Sequence, residues 1–230
     1  MMESQNPRHI AIILDGNRRF AKRLMLEPWK GHEFGRKKVE ELLDYAKDFG
    51  IKQLTFYTLS LENLKGRTEK ELEYLFKLMK DAFLNLDKEK IRNDKIKINF
   101  IGQLELLPLE LQEICFKLQE ETKCNNNFII NICIAYGGRQ EITEAIKKII
   151  KKNISPEQIT EQVVKENLYF KDEPDLIIRT GGEIRTSNFL SWQSAYSEWI
   201  FLDKMWPEFE KEDLKNCIEE FKKRKRNFGR

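Results

Sequence analysis

Five short apolar runs recur down the chain, separated by stretches of helical periodicity, and this alternation most restricts the fold. Ile10 to Leu14 is β-branched and almost wholly apolar, as expected of a strand buried on both faces. After Gly31, the residues Val39, Leu42, Leu43 and Ala46 keep the one-face spacing of a helix, which Gly50 stops. Gln53 to Thr58 reads as a second strand. Thr68 and Glu71 have capping-box spacing and open a helix striped by Leu72, Leu75, Phe76, Met79 and Phe83. Ile96 to Ile101 is a third strand, followed by a helix carrying Leu111, Ile114, Cys115 and Leu118. Phe128 to Ala135 is a fourth, followed by Ile142, Ala145, Ile146 and Ile149 on another helix. Ser155-Pro156-Glu157 has the form of a further helix start. Leu176 to Ile178 is a fifth strand, and Leu214, Cys217, Ile218 and Phe221 mark a closing helix. Strands alternating with helices over the whole length predict an α/β fold with a mostly parallel central sheet flanked by helices.

The 230 residues suit a single domain over 1–230, and no repeat or low-complexity linker divides them. With 40% hydrophobic and 34% charged residues, the chain has material for a full core, which excludes global disorder. Forty-one basic against 38 acidic residues is too even a balance to mark a nucleic-acid binder. No apolar run is long enough to span a membrane, and Met1 to Arg8 is polar, so the expected location is cytoplasmic. The cysteines at 115, 124, 133 and 217 form no Cys-x-x-Cys pair and have only two histidines to join them. They read as small hydrophobes or idle thiols rather than a zinc site.

In open parallel sheets, ligands bind beyond the carboxyl ends of the strands. Four predicted strand ends carry conspicuous polar loops: Asp15-Gly16-Asn17-Arg18-Arg19, Ser60-Leu61-Glu62-Asn63, Tyr136-Gly137-Gly138-Arg139, and Arg179-Thr180-Gly181-Gly182-Glu183 with Arg185 and Ser187. The first offers a carboxylate suited to magnesium, a glycine that lets backbone approach a ligand, and two guanidiniums that fork phosphate oxygens. Taken alone it is also the composition of an ordinary turn. The last places three phosphate donors within nine residues around a Gly-Gly pair, and a solvated charge cluster would look similar. Together they point to two phosphorylated ligands or one large one. No P-loop or dinucleotide fingerprint is present; Asn17 stands where a haloacid-type phosphatase needs a second aspartate, and the aspartate-rich motifs of trans-type prenyl diphosphate synthases are missing.

With these motifs in order, the chain resembles the cis-prenyltransferase family of the undecaprenyl diphosphate synthase type, from about His9 to Gly229. The resemblance is carried by the stretch His9 to Ala21, by Gly31-His32, by Ser60-Leu61-Glu62-Asn63, by Ala135 to Arg139, and by Arg179 to Leu190 continuing into Trp192 to Glu198. Arg18-Arg19-Phe20 is more like archaeal and eukaryotic members than bacterial ones. The resemblance implies a fold with an apolar tunnel and an enzyme that adds isopentenyl diphosphate units to an allylic prenyl diphosphate, each new double bond being cis. It implies catalytic roles for Asp15 and Asn63, and magnesium held by Asp15 and Glu198. Gly16, Asn17, Arg18, Arg19, Phe20 and His32 would surround the allylic diphosphate. Ser60, Leu61, Glu62 and Arg67 would border the substrates, and Arg179, Arg185, Thr186 and Ser187 would hold isopentenyl diphosphate. For His32 the competing role is a structural hydrogen bond at a helix start, and its motif favours function. It further implies a homodimer without nucleic acid, delivering its product to a membrane and itself cytoplasmic or peripheral to that membrane.

Several positions depart from the family pattern: Pro28 replaces an arginine, Leu64 a tryptophan, Gly66 a basic residue with Arg67 displaced by one, and Asn227 a late arginine. These put secondary phosphate contacts in question. The helical stripes after the first two strands are the natural tunnel walls, and most of their residues are also core. The basic run Lys222 to Arg226 reads as a solvated helix end. Two other functions compete: a non-catalytic subunit of a heteromeric cis-prenyltransferase, disfavoured because Asp15 is present, and a generic anion-binding protein.

Overall fold

A computed structural model describes residues 6–224. Asn227 and the last two residues of the basic run therefore lie outside the described residues. The elements run β1 (His9–Ile13), α1 (Asn17–Arg23), α2 (Gly31–Asp48), β2 (Gln53–Ser60), α3 (Leu61–Gly66), α4 (Glu69–Leu84), α5 (Lys88–Asn93) and β3 (Ile96–Ile101). They continue with α6 (Leu109–Thr122), β4 (Phe128–Tyr136), α7 (Gly138–Lys151), α8 (Glu161–Asn167), β5 (Leu176–Arg179), β6 (Glu198–Phe201) and α9 (Lys211–Lys223).

All six strands lie in one sheet, ordered β3-β4-β2-β1-β5-β6, and every pairing is parallel. The five predicted strands are present, most of them a residue or more longer than the apolar runs. The sixth, β6, is a four-residue edge strand that the periodicity did not mark. Asn17–Arg23 and Leu61–Gly66 are short helices where loops were expected. Ser155 caps only a short 3₁₀ turn, Pro156–Gln158, and the helix that follows starts from Thr160. The reciprocal capping box at Thr68 is half formed: Thr68 Oγ1 accepts the Glu71 N–H at 3.4 Å, while the Glu71 carboxylate faces two arginines.

Alternate residues of each strand feed two cores. Ile10, Ile12, Leu54, Phe56, Ile98 and Ile130 join the larger, beneath α2 and α4; Ala11, Ile13, Tyr57 and Cys133 join the smaller, with Phe170 and Phe189. The free edge of β3 is covered rather than left open. Thr122 Oγ1 on α6 accepts the Ile98 N–H at 3.0 Å, and Gln119 Oε1 accepts the Phe100 N–H at 2.5 Å. Cys115, Cys133 and Cys217 are buried and Cys124 is exposed, all of them free thiols.

A polar ladder crosses the sheet on the smaller-core face. Asn99 Nδ2 donates to Asn131 Oδ1 at 2.8 Å, Asn131 Nδ2 donates to Thr55 Oγ1 at 2.9 Å, and His9 Nε2 lies 2.7 Å from Thr55 Oγ1. Burial pushes the His9 imidazole down to about 4, against the opposing pull of the Glu173 backbone and of Asp172 and Asp175. The unfolded chain therefore binds this proton before the folded one does. Stability is retained above pH ~6.5 and falls as pH drops towards 4, by about 3 kcal/mol from this residue. Urea unfolding of wild type and His9→Asn from pH 7.5 to 4.5 checks this. The stability advantage of wild type should shrink as pH falls, and an advantage constant with pH would overturn it.

Candidate active site

From β1 the chain winds outward to β2 and β3 on one side, and later from β5 to β6 on the other. The crevice between the carboxyl ends of β1 and β5 is the topological switch point. Asp15 follows β1 and Arg179 ends β5, and the two meet there: Arg179 NH2 donates to Asp15 Oδ2 at 2.8 Å. Asp15 Oδ1 accepts the Gly16 N–H at 2.6 Å and Arg19 NH2 at 3.2 Å. The backbone is pinned by Thr180 Oγ1 and the Trp206 N–H, both donating to the Asp15 carbonyl. Gly16 turns the chain at φ 104°, and a Cβ there would meet Met205 Cβ at 2.8 Å, so only glycine fits.

The Arg179 side chain is 4% exposed. Its NH1 donates to Ser187 Oγ at 2.7 Å and to the Arg185 carbonyl at 2.5 Å. Arg179 is thus a strut joining Asp15 to the Ser187 turn, and it lines the cavity beside the more exposed Arg185 and Ser187. With its oxygen accepting from Arg179, the Ser187 hydroxyl hydrogen remains to be donated.

On the other side of the mouth, α2 and the α3–α4 junction meet through a second cluster. Arg67 NH1 donates to His32 Nε2 at 3.4 Å, and Arg67 NH1 and Arg18 Nε each stand 3.5 Å from Glu71 Oε1. Burial, then the Arg67 and Arg18 charges, pushes His32 down to about 3. The ring is neutral near physiological pH in this arrangement. The displaced Arg67 still reaches the cavity wall, because α3 ends at Gly66 and the chain then folds back toward α2. Ser60 Oγ accepts the Asn63 N–H at 3.0 Å, capping α3 and setting Glu62 and Asn63 at the mouth. Burial raises the Glu62 pKa, but its own backbone N–H, the Asn188 amide, the Ser60 hydroxyl and Lys65 outweigh this and hold it below the ordinary value.

These groups ring one end of a cavity of about 740 Å³. Six arginines line it (18, 19, 36, 67, 179 and 185) against the carboxylates of Asp15, Glu40 and Glu62, so the mouth favours anions. Deeper in, the walls are Val39 and Leu43 of α2, Leu75, Leu78, Met79, Ala82 and Phe83 of α4, and Phe56, Ile98, Ile130 and Ile132 of the sheet. The cavity is a polar mouth opening onto an apolar tunnel, walled as the helical stripes predicted.

Not every expected residue reaches this space. Asn17 is buried; its Nδ2 donates to the Leu14 carbonyl at 2.8 Å, and its side chain packs where a Cβ on Gly35 would come within 2.3 Å of Oδ1. Its side chain packs against Gly35 of α2 and also lines the cavity. Phe20 meets Phe34 edge to face away from the wall, Leu61 is core, and Thr186 is on an exposed turn. Glu198 does not join Asp15 within the chain. It opens β6 in register with Leu176, three residues below the Arg179 level, or about 10 Å down the strand. Its carboxylate accepts from Arg224 NH1 at 2.9 Å. The Tyr136-Gly137-Gly138-Arg139 motif is a docking surface for the Ser187–Ser191 turn rather than a loop facing the mouth. Sequence reasoning missed Arg36, Glu71 and Asn188. Arg36 was findable, standing one helical turn after His32 on the same face.

The family described as "Putative undecaprenyl diphosphate synthase" matches residues 13–229. The chain belongs to the undecaprenyl diphosphate synthase family. A tritrans,polycis-undecaprenyl-diphosphate synthase (geranylgeranyl-diphosphate specific) of Methanopyrus kandleri is 45% identical over 99% of this chain and 86% of its own length. The protein of the same description from Thermococcus kodakarensis is 43% identical over 97% and 87%. Among solved structures, lavandulyl diphosphate synthase from Lavandula x intermedia in complex with dimethylallyl diphosphate superposes with a TM-score of 0.92. Its identity is 32%, over 98% of this chain and 99% of that one. A Campylobacter jejuni structure described as a probable undecaprenyl diphosphate synthase gives 0.81 at 30% identity, over 98% and 100%. The chain is a cis-prenyltransferase, a polyprenyl diphosphate synthase by family and by fold, and the generic anion-binding reading is set aside. Among the described residues, no helix is long and apolar enough to cross a membrane.

Proposed function

We propose that this cis-prenyltransferase extends geranylgeranyl diphosphate with isopentenyl diphosphate units to an undecaprenyl-length product, using magnesium held at Asp15. The observation that carries this reading is the continuity of an arginine-lined mouth with an apolar tunnel, a shape that takes a diphosphate at one end and a growing hydrocarbon at the other. The primer is the one that the similar archaeal proteins are named for.

Among the described residues no three His, Cys, Asp or Glu side chains gather as a metal cage. Magnesium is usually held by one or two carboxylates, with phosphate and water completing its shell, and the half-buried Asp15 at a mouth built for diphosphates fits that donor set. When bound there, the ion would neutralise charge growing on the departing diphosphate. Glu198, offset along β6, is left out of this ligand set within one chain. Arg18, Arg19, Arg36 and Arg67 would grip the allylic diphosphate as bond cleavage loads it with charge, acting as fixed donors that need no reorganisation. Arg185 and Ser187 would hold isopentenyl diphosphate across the crevice, so that two anion sites align the reacting carbons. Asn63 orients substrate at the mouth; its amide is too weak a base to take the proton, which passes to diphosphate oxygen. The intact Asp15–Arg179 pair argues against a non-catalytic subunit. Incubating the purified chain with both diphosphates and magnesium should release pyrophosphate and lengthen the prenyl chain; no elongation overturns the reading.

Arg185→Ala tests the two-site division. Its side chain is 59% exposed, paired only with Glu183, so solvent screens its contact with a phosphate. The loss should lie near the low end for a charge-assisted hydrogen bond, about tenfold in isopentenyl diphosphate affinity, with little change for the allylic substrate. Equal losses for both would overturn the division.

A further inference from the structure

The turn that carries Ser187 is held in an unfavourable backbone conformation. Ser187, Asn188 and Leu190 have φ of 50°, 61° and 46°, three left-handed residues among four. Asparagine tolerates this region; serine and leucine do so at a cost, and such a turn persists only where its surroundings fix it. The fixing groups converge on Asn188. Its Nδ2 donates to Glu62 Oε1 at 2.8 Å, across the mouth to the segment after β2. Its Oδ1 accepts the Arg139 N–H at 2.8 Å, and its backbone carbonyl accepts the Gly138 N–H at 2.8 Å. Gly137 and Gly138 make room for this: a Cβ on Gly137 would fall 2.8 Å from Asn188 Nδ2, and one on Gly138 would fall 2.4 Å from Ser191 Oγ. Tyr57 adds a second tie. Its one hydroxyl hydrogen lies between the Tyr136 carbonyl at 3.2 Å and the Ser187 carbonyl at 3.3 Å, and its ring stacks on Phe189 at 4.5 Å.

We infer that Asn188 is a positioning residue for the condensation, locking the Glu62–Asn63 segment to the Ser187 turn and mounting both on the first turn of α7. The inference rests on the proposed function, in which Ser187 and Arg185 hold isopentenyl diphosphate and Asn63, next to Glu62, orients substrate at the mouth. One side chain then sets the distance between the two halves of that substrate's site. The side chain itself need not touch either substrate. It also explains the Gly-Gly pair: the glycines admit the asparagine, and no anion contact has to be assigned to them.

The experiment measures KM for each substrate, kcat and thermal melting for wild type, Asn188→Ala, Asn188→Asp and Gly137→Ala at pH 7.5 and pH 6. Asn188→Ala removes both side-chain ties. Asn188→Asp keeps the acceptor for Arg139 but sets a carboxylate against Glu62, a repulsion that shared protonation relieves at lower pH. Gly137→Ala displaces the asparagine without removing it, and is the variant judged if Asn188→Ala fails to fold. At pH 7.5 all three should raise KM for isopentenyl diphosphate at least tenfold and KM for the allylic diphosphate less than threefold. At pH 6 the Asn188→Asp defect relative to wild type should shrink, while that of Asn188→Ala should not. Unchanged KM values, equal losses on both substrates, or an Asn188→Asp defect indifferent to pH would each overturn the inference. A wild type that does not elongate overturns the proposed function, and this inference with it; a wild type that elongates beside unaffected variants overturns the inference alone.

Discussion

Asp15→Asn should lower turnover by at least about a hundredfold at saturating magnesium while leaving the melting temperature within a few degrees of wild type. The size follows from removing one preorganised charged element aimed at the departing diphosphate. The preserved fold follows from the choice of asparagine. Arg179, 4% exposed, depends on Asp15 Oδ2 for one of its contacts, and an amide oxygen in the same place still accepts that hydrogen bond; the amide nitrogen then replaces Oδ1, so what is given up is the Gly16 N–H contact and that of the more exposed Arg19. Asp15→Ala should be worse in a second way, because it strips the partner from a buried guanidinium; removing one member of a buried pair costs about 3–5 kcal/mol, here lessened by the remaining Ser187 and Arg185 carbonyl acceptors. Activity and melting curves measured together on both variants separate the effects. Asp15→Asn retaining most of its activity would show that the carboxylate is not the metal-holding group.

The sheet was legible because its central strands, buried on both faces, need nearly continuous apolar runs, as in Ile10 to Ile13, while the edge strand Ile96 to Ile101 alternates apolar residues with Lys97 and Asn99. Strand β6 was not, since Glu198–Phe201 is four residues at the sheet edge, preceded by coil, and its pairing with β5 comes from tertiary packing. Helix α1 escaped for a related reason. Its residues Asn17-Arg18-Arg19 carry turn and charge chemistry, and the turn of helix forms because Gly16 and the buried Asn17 fasten it under α2.

Within the site, the residues at strand ends were readable because topology alone brings the carboxyl ends of β1 and β5 together. What could not be read was which side chains spend their hydrogen bonds on one another. Arg179 looks like a phosphate donor in the sequence, and the structure uses it to fasten Asp15 to Ser187. Glu71 looks like half of a capping box, and its carboxylate instead stands between Arg18 and Arg67, allowing two guanidiniums to approach one mouth. His32 has the position of a phosphate ligand, and burial, with these same arginines adding to it, pushes its pKa down. Within one chain Glu198 stands three residues along β6 from the Arg179 level, and only register reveals that.

The tunnel leads to the other large expected effect, on product release. Every added five-carbon unit brings roughly four to five carbons to bury, at about 0.8 kcal/mol each, so each cycle adds about 3–4 kcal/mol of apolar retention where the chain stays enclosed. The contacts to the diphosphate at the mouth do not change with length. Release into water therefore slows as the product grows, by about two to three decades per enclosed unit, until the tip emerges from the apolar walls. A detergent micelle or a lipid vesicle gives the emerging chain an apolar phase and removes most of that cost. Steady-state turnover should consequently rise by tenfold or more on adding mild detergent or vesicles. A single condensation, followed by rapid quench with enzyme in excess, should not change, because it ends before any product leaves. Equal acceleration of both would place the effect on the chemistry or on folding. No effect on steady-state turnover would mean that another step than release is slow, and that the enclosed apolar tunnel does not govern the cycle.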